Sequence, residues 1–183
     1  MNSLRGHFLV ASSELNDPNF LRTVVLIVQH DEMGAMGLVL NRPTDATVRK
    51  VWEQVKHSPC AVDAPLYLGG PIEGPLVALH ARSEQADIEV LPGLYYTVQP
   101  DSLEKLVSQG DEPARFIAGY AGWGPEQLEG ELEQGAWLVG PARPEQVLGQ
   151  EVDLWEKISR ELADTNLVSL LGIKHVPDDP SLN

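Results

Sequence analysis

Apolar and polar positions alternate between two periods along the 183 residues. Thr23 to Gln29 (TVVLIVQ) is β-branched and almost wholly apolar, which predicts a strand buried on both faces. His7 to Ser12 predicts a strand before it, and Ala35 to Asn41 one after it, paired as a hairpin across the Asp31 to Gly34 turn. Pro43 ends that strand because it has no N–H for a ladder. From Thr47 to Val55 the period changes to 3.6. Val48, Val51, Trp52 and Val55 form one stripe of a helix. Short strands are predicted at Leu66 to Leu68, Pro75 to Ala81, twice within Asp87 to Thr97, at Ala114 to Tyr120 and at Trp137 to Val139.

Helices are predicted over Asp101 to Gln109, with Asp101 and Glu104 as a capping box, and over Pro125 to Gln134, with Pro125 first. The longest runs from Val152 to Ala163 and buries Leu154, Trp155, Ile158 and Leu162. A short helix around Leu167 to Leu171 follows. Early hairpins and no regular βαβ alternation give an α+β fold. One domain, 1–175, with a frayed polar tail, 176–183, accounts for the length.

Composition narrows the function. The formal net charge is −14, heavier after residue 90, and Arg49-Lys50 is the one adjacent basic pair. Phosphate backbones are bound by clustered cations, so direct nucleic-acid binding is disfavoured, and anionic membranes likewise. One cysteine, Cys60, rules out an intrachain disulfide and fits a reducing compartment. No run nears the ~20 apolar residues of a membrane helix, and Phe8 to Ala11 is too short for a signal-peptide core. A cytoplasmic protein is expected.

Catalytic and cofactor motifs fail on inspection. Gly122-Trp123-Gly124 opens a helix but lacks the third glycine of a dinucleotide loop. Pro125 removes a needed N–H, and Glu126 and Glu129 would repel a pyrophosphate. Gly34-Ala35-Met36-Gly37 has the spacing of an RNA-clamping loop but follows Asp31-Glu32. Ser102 and Lys105 match SxxK without its companion motifs. His7, His30, His57, His80 and His175 include no pair at ligand spacing, and Cys60 has no assured neighbouring cation. No cofactor and no metal site is expected.

Three segments remain odd for scaffolding. Gly37 to Pro43 delivers Asn41 and Arg42 to a strand end, where Arg42 is either an anion hook or a solvated charge. Leu68-Gly69-Gly70-Pro71-Ile72 permits positive φ or close backbone approach, or is simply a tight reversal. Gly119 to Trp137 holds three glycines within six residues around Tyr120 and Trp123. Core packing suits Tyr120 and Trp137, whereas Trp123, on a turn, is expected to face a pocket or interface.

These segments resemble the YqgE/AlgH family over nearly the whole chain. The matching elements, in order, are Gly6 to Ala11, Asp17 to Phe20 with Thr23 to Val25 and His30, Gly34 to Pro43, Leu68 to Pro71, Leu79-His80, Gly119 to Trp123 with Gln127 to Glu129, and Ala136 to Leu138. The resemblance implies a bacterial cytosolic protein whose bifurcated mixed sheet curls into a pseudo-barrel flanked by helices, and it brings the label of a transcriptional regulator. No helix here is a basic recognition helix, so an indirect role through a partner or a small molecule is expected. Members can carry a cysteine two residues before the histidine of the second strand. That position is Val28 here, so no thiol role transfers.

Three functions follow as expectations. The first is a binding or regulatory module in which Asn41, Arg42, Gly69, Gly70, Pro71, His80 and Trp123 converge on a cleft for a small anion or a peptide; its ligand is an unidentified small molecule or protein. The second is an enzyme using His80 or His30 as base near Arg42. The third is direct nucleic-acid binding, against the charge.

Overall fold

The structure, a computed structural model, describes residues 3–56, 58–110 and 113–170. His57, His175 and the tail from Val176 lie outside the described residues. The strands are β1 (His7–Ala11), β2 (Val24–Asp31), β3 (Gly34–Val39), β4 (Pro43–Thr47), β5 (Pro65–Leu68), β6 (Ile72–His80), β7 (Ile88–Leu91), β8 (Leu94–Thr97), β9 (Ala114–Trp123) and β10 (Trp137–Pro141). The helices are α1 (Val48–Lys56), α2 (Pro100–Gln109), α3 (Gln127–Glu133), α4 (Pro144–Leu148) and α5 (Leu154–Leu170). The fold is α+β, as the pattern predicts.

The strands run in the order β10-β1-β2-β3-β9-β6-β8-β7, with β4 and β5 off that path. The sheet forks at β9. One edge of β9 pairs antiparallel with β3 near its end, through Ala121 to Trp123, and parallel with β5 further back, through Ile117 and Ala118. That parallel pair makes the sheet mixed. Its two arms curl toward each other without a closing ladder. Gly6, just before β1, sits so close to β7 that a Cβ there would lie 3.1 Å from the Val90 carbonyl oxygen.

Both faces of the sheet are covered, and β2 explains why its sequence lacks alternation. Val24, Leu26 and Val28 join the cluster inside the curl, with Phe8, Leu79, Leu94 and the helix residues Val147, Leu154 and Ile158. Val25 and Ile27 join a cluster on the opposite face, with Leu128 of α3, Trp123 and Trp137. A third cluster lies under α1 and α2, where Trp52, Leu103 and Leu106 meet Phe116 and Ala78. A strand between two such layers must be apolar at every position.

Local chemistry departs from expectation in several places. The first turn of α2 is set by Pro100 at its start, not by an Asp101 cap, and the preceding Val98 and Gln99 N–H groups donate to Asp87. α3 begins at Gln127, after Glu126 in the left-handed region at φ 62°, so Pro125 belongs to the turn. β4 and α4 were not legible. Pro43 opens β4 where it was expected to end a strand, on the sheet's edge where its missing N–H costs nothing. The last helix is one element to Leu170, not two.

Candidate functional site

Asn41 and Arg42 leave β3 and anchor the loop that precedes β2. The Asn41 Oδ1 accepts the Val24 N–H at 3.0 Å, and its Nδ2 donates to the Arg22 carbonyl at 2.8 Å. Both ends of the amide are thus spent on the backbone. Arg42 donates from Nη2 to the Leu21 carbonyl, and its own carbonyl accepts the Leu68 N–H at 2.9 Å. Among the described residues the Arg42 Nε and Nη1 have no hydrogen-bond partner.

Gly69 and Gly70 occupy the fork itself. The Gly69 N–H donates to the Ala118 carbonyl at 2.8 Å and its carbonyl accepts the Val39 N–H at 2.8 Å, so one residue stitches β3 to β9. A Cβ on Gly69 would fall 2.3 Å from the Gly119 carbonyl oxygen, and one on Gly70 2.3 Å from Tyr120 backbone atoms. Gly70 also has φ 155°. Close backbone approach is therefore why the glycines are there.

The fork leaves a cavity of about 150 Å³ lined by Pro18, Asn19, Val39, Arg42, Leu68, Gly70 and Pro71. It is flanked by a groove of about 410 Å³ that shares Leu68, Gly70 and Pro71 and continues along Ile72, Glu73 and Gly74. Leu68 is 50% exposed and Ile72 39%, an unusual pair of large apolar side chains in water. β6 pairs along one edge with β9 at Ile72 and again from Leu76, across an irregularity between them, but on its other edge β8 begins only at Ala78. Its first residues thus present a free strand edge.

Of the sequence candidates, the structure brings Arg42, Gly70 and Pro71 together, with Gly69 and Asn41 supporting them from the backbone. Trp123 and His80 line neither cavity. Trp123 is 5% exposed, stacks on Phe20 at 6.0 Å between ring centres and meets Trp137 edge-on at 6.1 Å. Its Nε1 donates to Glu131 at 2.9 Å. The turn expected to expose it instead folds α3 back over it. His80 is 1% exposed in the middle of the sheet. Its Nδ1 accepts the Arg82 N–H at 3.2 Å, so the ring proton lies on Nε2, which has no partner among the described residues. Burial pushes its pKa below the usual histidine value, and the ring is neutral.

His30 has a carboxylate partner, the arrangement an enzyme base needs, but no free lone pair. Its Nδ1 accepts the Leu4 N–H at 3.0 Å and its Nε2 donates to Glu129 at 2.9 Å. The two bonds pin the N-terminal segment and α3 to the end of β2. Cys60 is buried and its Sγ faces the Val62 carbonyl at 3.3 Å. Burial raises its pKa, so the thiol stays protonated and a poor nucleophile. A concavity of about 760 Å³ along α5 is lined largely by charged side chains, including Glu151, Asp153 and Glu156. Among the described residues no three His, Cys, Asp or Glu side chains are grouped to hold a metal ion.

The AlgH-like family model matches residues 8–166. This chain belongs to that family. A UPF0301 protein of Myxococcus xanthus is 38% identical over 177 residues, covering 94% of this chain and 98% of its own. Another from Streptomyces coelicolor is 38% identical over 190 residues, covering 100% of this chain and 97% of its own. Among solved structures, the AlgH protein of Pseudomonas aeruginosa superposes with a TM-score of 0.76 at 32% identity, over 97% of this chain and 98% of that one. A Corynebacterium diphtheriae protein does so with 0.71 at 28%, over 88% of each. The family fixes the fold and the bacterial setting; no helix of the described residues is long and apolar enough to cross a membrane.

Sequence reasoning singled out the Leu68 to Ile72 segment for its glycines without giving the Leu68 and Ile72 side chains a part in the site, and it missed Arg115. The signal for Arg115 was present: it is the one cation inside the apolar run of β9.

Proposed function

We propose that this AlgH-like chain is a binding module that takes an extended peptide segment of a protein partner in the groove at the sheet fork. Any regulatory effect on transcription then passes through that partner. The observation that carries this reading is the exposure of Leu68 and Ile72 on either side of the rigid Gly69-Gly70-Pro71 turn. They would bury the apolar side chains of a peptide, and the partly engaged Arg42 guanidinium would take a carboxylate from it. The unpaired start of β6 favours an extended conformation, over a short stretch only, because Pro75 lacks an N–H. The net charge of −14 speaks against nucleic acid as the direct ligand.

The test is selection from a phage-displayed random peptide library on the full chain, followed by amide-resolved NMR with the selected peptide. Enriched peptides should combine apolar residues with an acidic side chain or free C-terminus and shift Leu68 through Gly74. Arg42→Gln should weaken them about tenfold, the loss of one charge-assisted contact of ~1.4 kcal/mol. No enrichment, or shifts confined elsewhere, contradicts the reading. Saturation of the Arg42 signals by inorganic phosphate with no peptide enriched would make the occupant a small anion instead.

A further inference from the structure

Arg115, near the start of β9, is 5% exposed. Its guanidinium donates from Nε to the Val147 carbonyl at 2.8 Å, from Nη1 to the Leu40 carbonyl and from Nη2 to the Gly149 carbonyl. The carbon of the guanidinium lies 4.3 Å from the centre of the Tyr67 ring. Among the described residues no carboxylate pairs with it. A buried arginine normally has a formal countercharge, because carbonyl dipoles alone repay only part of its desolvation.

Arg115 also lines a cavity of about 300 Å³, with Tyr67 and Gln150 as its other polar walls and Ala64, Pro65, Pro113, Ala114 and Leu148 as apolar ones. A guanidinium has five N–H donors; three go to these carbonyls, and the Tyr67 side chain lies within hydrogen-bonding range of the same group, so two N–H groups are left that no carbonyl takes. A desolvated cation, a phenol, an amide and small apolar walls around one cavity make a site for a single oxyanion. The volume is at the lower end for small-molecule pockets.

We infer that this cavity binds a small molecule through one carboxylate or phosphate group, held by the Arg115 N–H groups that no carbonyl takes, with Tyr67 and the Gln150 amide beside it. The anion supplies the countercharge that the fold withholds. The overall negative charge opposes its approach only over about a Debye length, ~8 Å at physiological salt, and inside the cavity the nearby cation dominates. The site lies apart from the peptide groove, with which it shares no lining residue.

The test is NMR titration of the full chain with sodium phosphate, acetate and benzoate at fixed ionic strength, with sodium chloride as control, following backbone amides and the Arg115 Nε–H. The expected result is saturable shifts at Arg115, Tyr67, Ala114 and Gln150 with one of these oxyanions and not with chloride. Which one saturates separates a carboxylate from a phosphate ligand. Tyr67→Phe should weaken binding about ten- to a hundredfold, the loss of one hydrogen bond to a charged group. Ala64→Leu, which narrows the cavity and leaves Arg115 in place, should abolish binding while unfolding at the same temperature as the parent without anion. No saturable shift with any oxyanion, equal shifts with chloride, or binding untouched by Ala64→Leu overturns the assignment. None of these results depends on the peptide groove, whose residues report separately.

Discussion

Glu131 on α3 decides whether Trp123 is scaffold or ligand contact. Its Oε2 accepts both the Trp123 and the Trp137 indole N–H, at 2.9 and 2.8 Å, and its Oε1 accepts Gln127 at 3.1 Å. The two indoles are 5% and 4% exposed. Glu131→Ala therefore orphans two donors at once. Each buried unsatisfied donor costs about 1–3 kcal/mol. Glu131 is itself only half-buried, so water recovers part of the loss, and the expected destabilisation is about 2–4 kcal/mol. Glu131→Gln keeps a carbonyl oxygen within reach of both indoles and should lose only about 1 kcal/mol of charge assistance. Urea unfolding followed by circular dichroism reads both. In a Trp123→Phe/Trp137→Phe background, with no indole N–H left to orphan, Glu131→Ala should cost below about 0.5 kcal/mol. A loss under about 1 kcal/mol in the parent, or an unchanged loss in the double-Phe background, refutes the shared-carboxylate reasoning and returns Trp123 to the list of ligand contacts.

Two glycines should respond in opposite directions. Gly69→Ala drives a Cβ into the Gly119 carbonyl oxygen and should cost at least about 2 kcal/mol in urea unfolding, whereas Gly130, in α3 with nothing within 4 Å of its virtual Cβ, should gain about 0.5–1 kcal/mol as alanine. His80 should make stability pH-dependent. Its native pKa lies below its unfolded value, so the unfolded chain binds the proton more readily. Stability is complete above about pH 6.5 and falls as pH drops from there toward the lowered native value. His80→Leu should flatten the slope of unfolding free energy between about pH 7.5 and about pH 5.5, and an unchanged slope would assign the dependence to other groups. Asp87 acts lower on the scale. Burial would raise its pKa, but hydrogen bonds from Val98, Thr97 and Gln99 outweigh this and hold it below the usual carboxylate value. Its contribution is present above that usual value and is lost as pH falls through the native one. Asp87→Asn should remove that acid-side loss in an acid titration of circular dichroism.

The repeating elements were legible where one periodicity dominated. The all-apolar Thr23 to Gln29 run announced a strand between two layers, and Val24 to Val28 are each 0% exposed. The stripe of α1 showed as plainly through Val48 and Trp52, though Val55 ended up exposed at the frayed end of the helix. β4 and α4 were hidden because they are short and begin at prolines, which read as breakers. Their prolines sit on an edge strand and at a first helical turn, where no N–H is needed. The sheet's fork was implied by the family resemblance alone and not by periodicity, since it arises from two strands, β3 and β5, competing for one edge of β9.

The candidate site was half legible for the same reason. Glycines and Arg42 at strand ends are local signals, and the fold gathers Arg42, Gly70 and Pro71 into one cavity. Trp123 and His80 were drawn to it by residue type alone. Their burial is set by α3 and by β8, which cover them from other parts of the chain. Leu68 and Ile72 flanked the predicted glycine turn, one at the end of a short strand and one beyond it, and only the fork leaves them in water.

The most direct measurement is the dissociation constant of a library-selected peptide by fluorescence polarisation, for the parent, for Ile72→Asp and for Val152→Asp. Val152 is 93% exposed, lines the concavity along α5 and neither fork cavity, and serves as the control. A docking groove at the fork predicts an unchanged constant for Val152→Asp and a loss of about thirtyfold, ~2 kcal/mol, for Ile72→Asp. Equal binding by the parent and Ile72→Asp would contradict it.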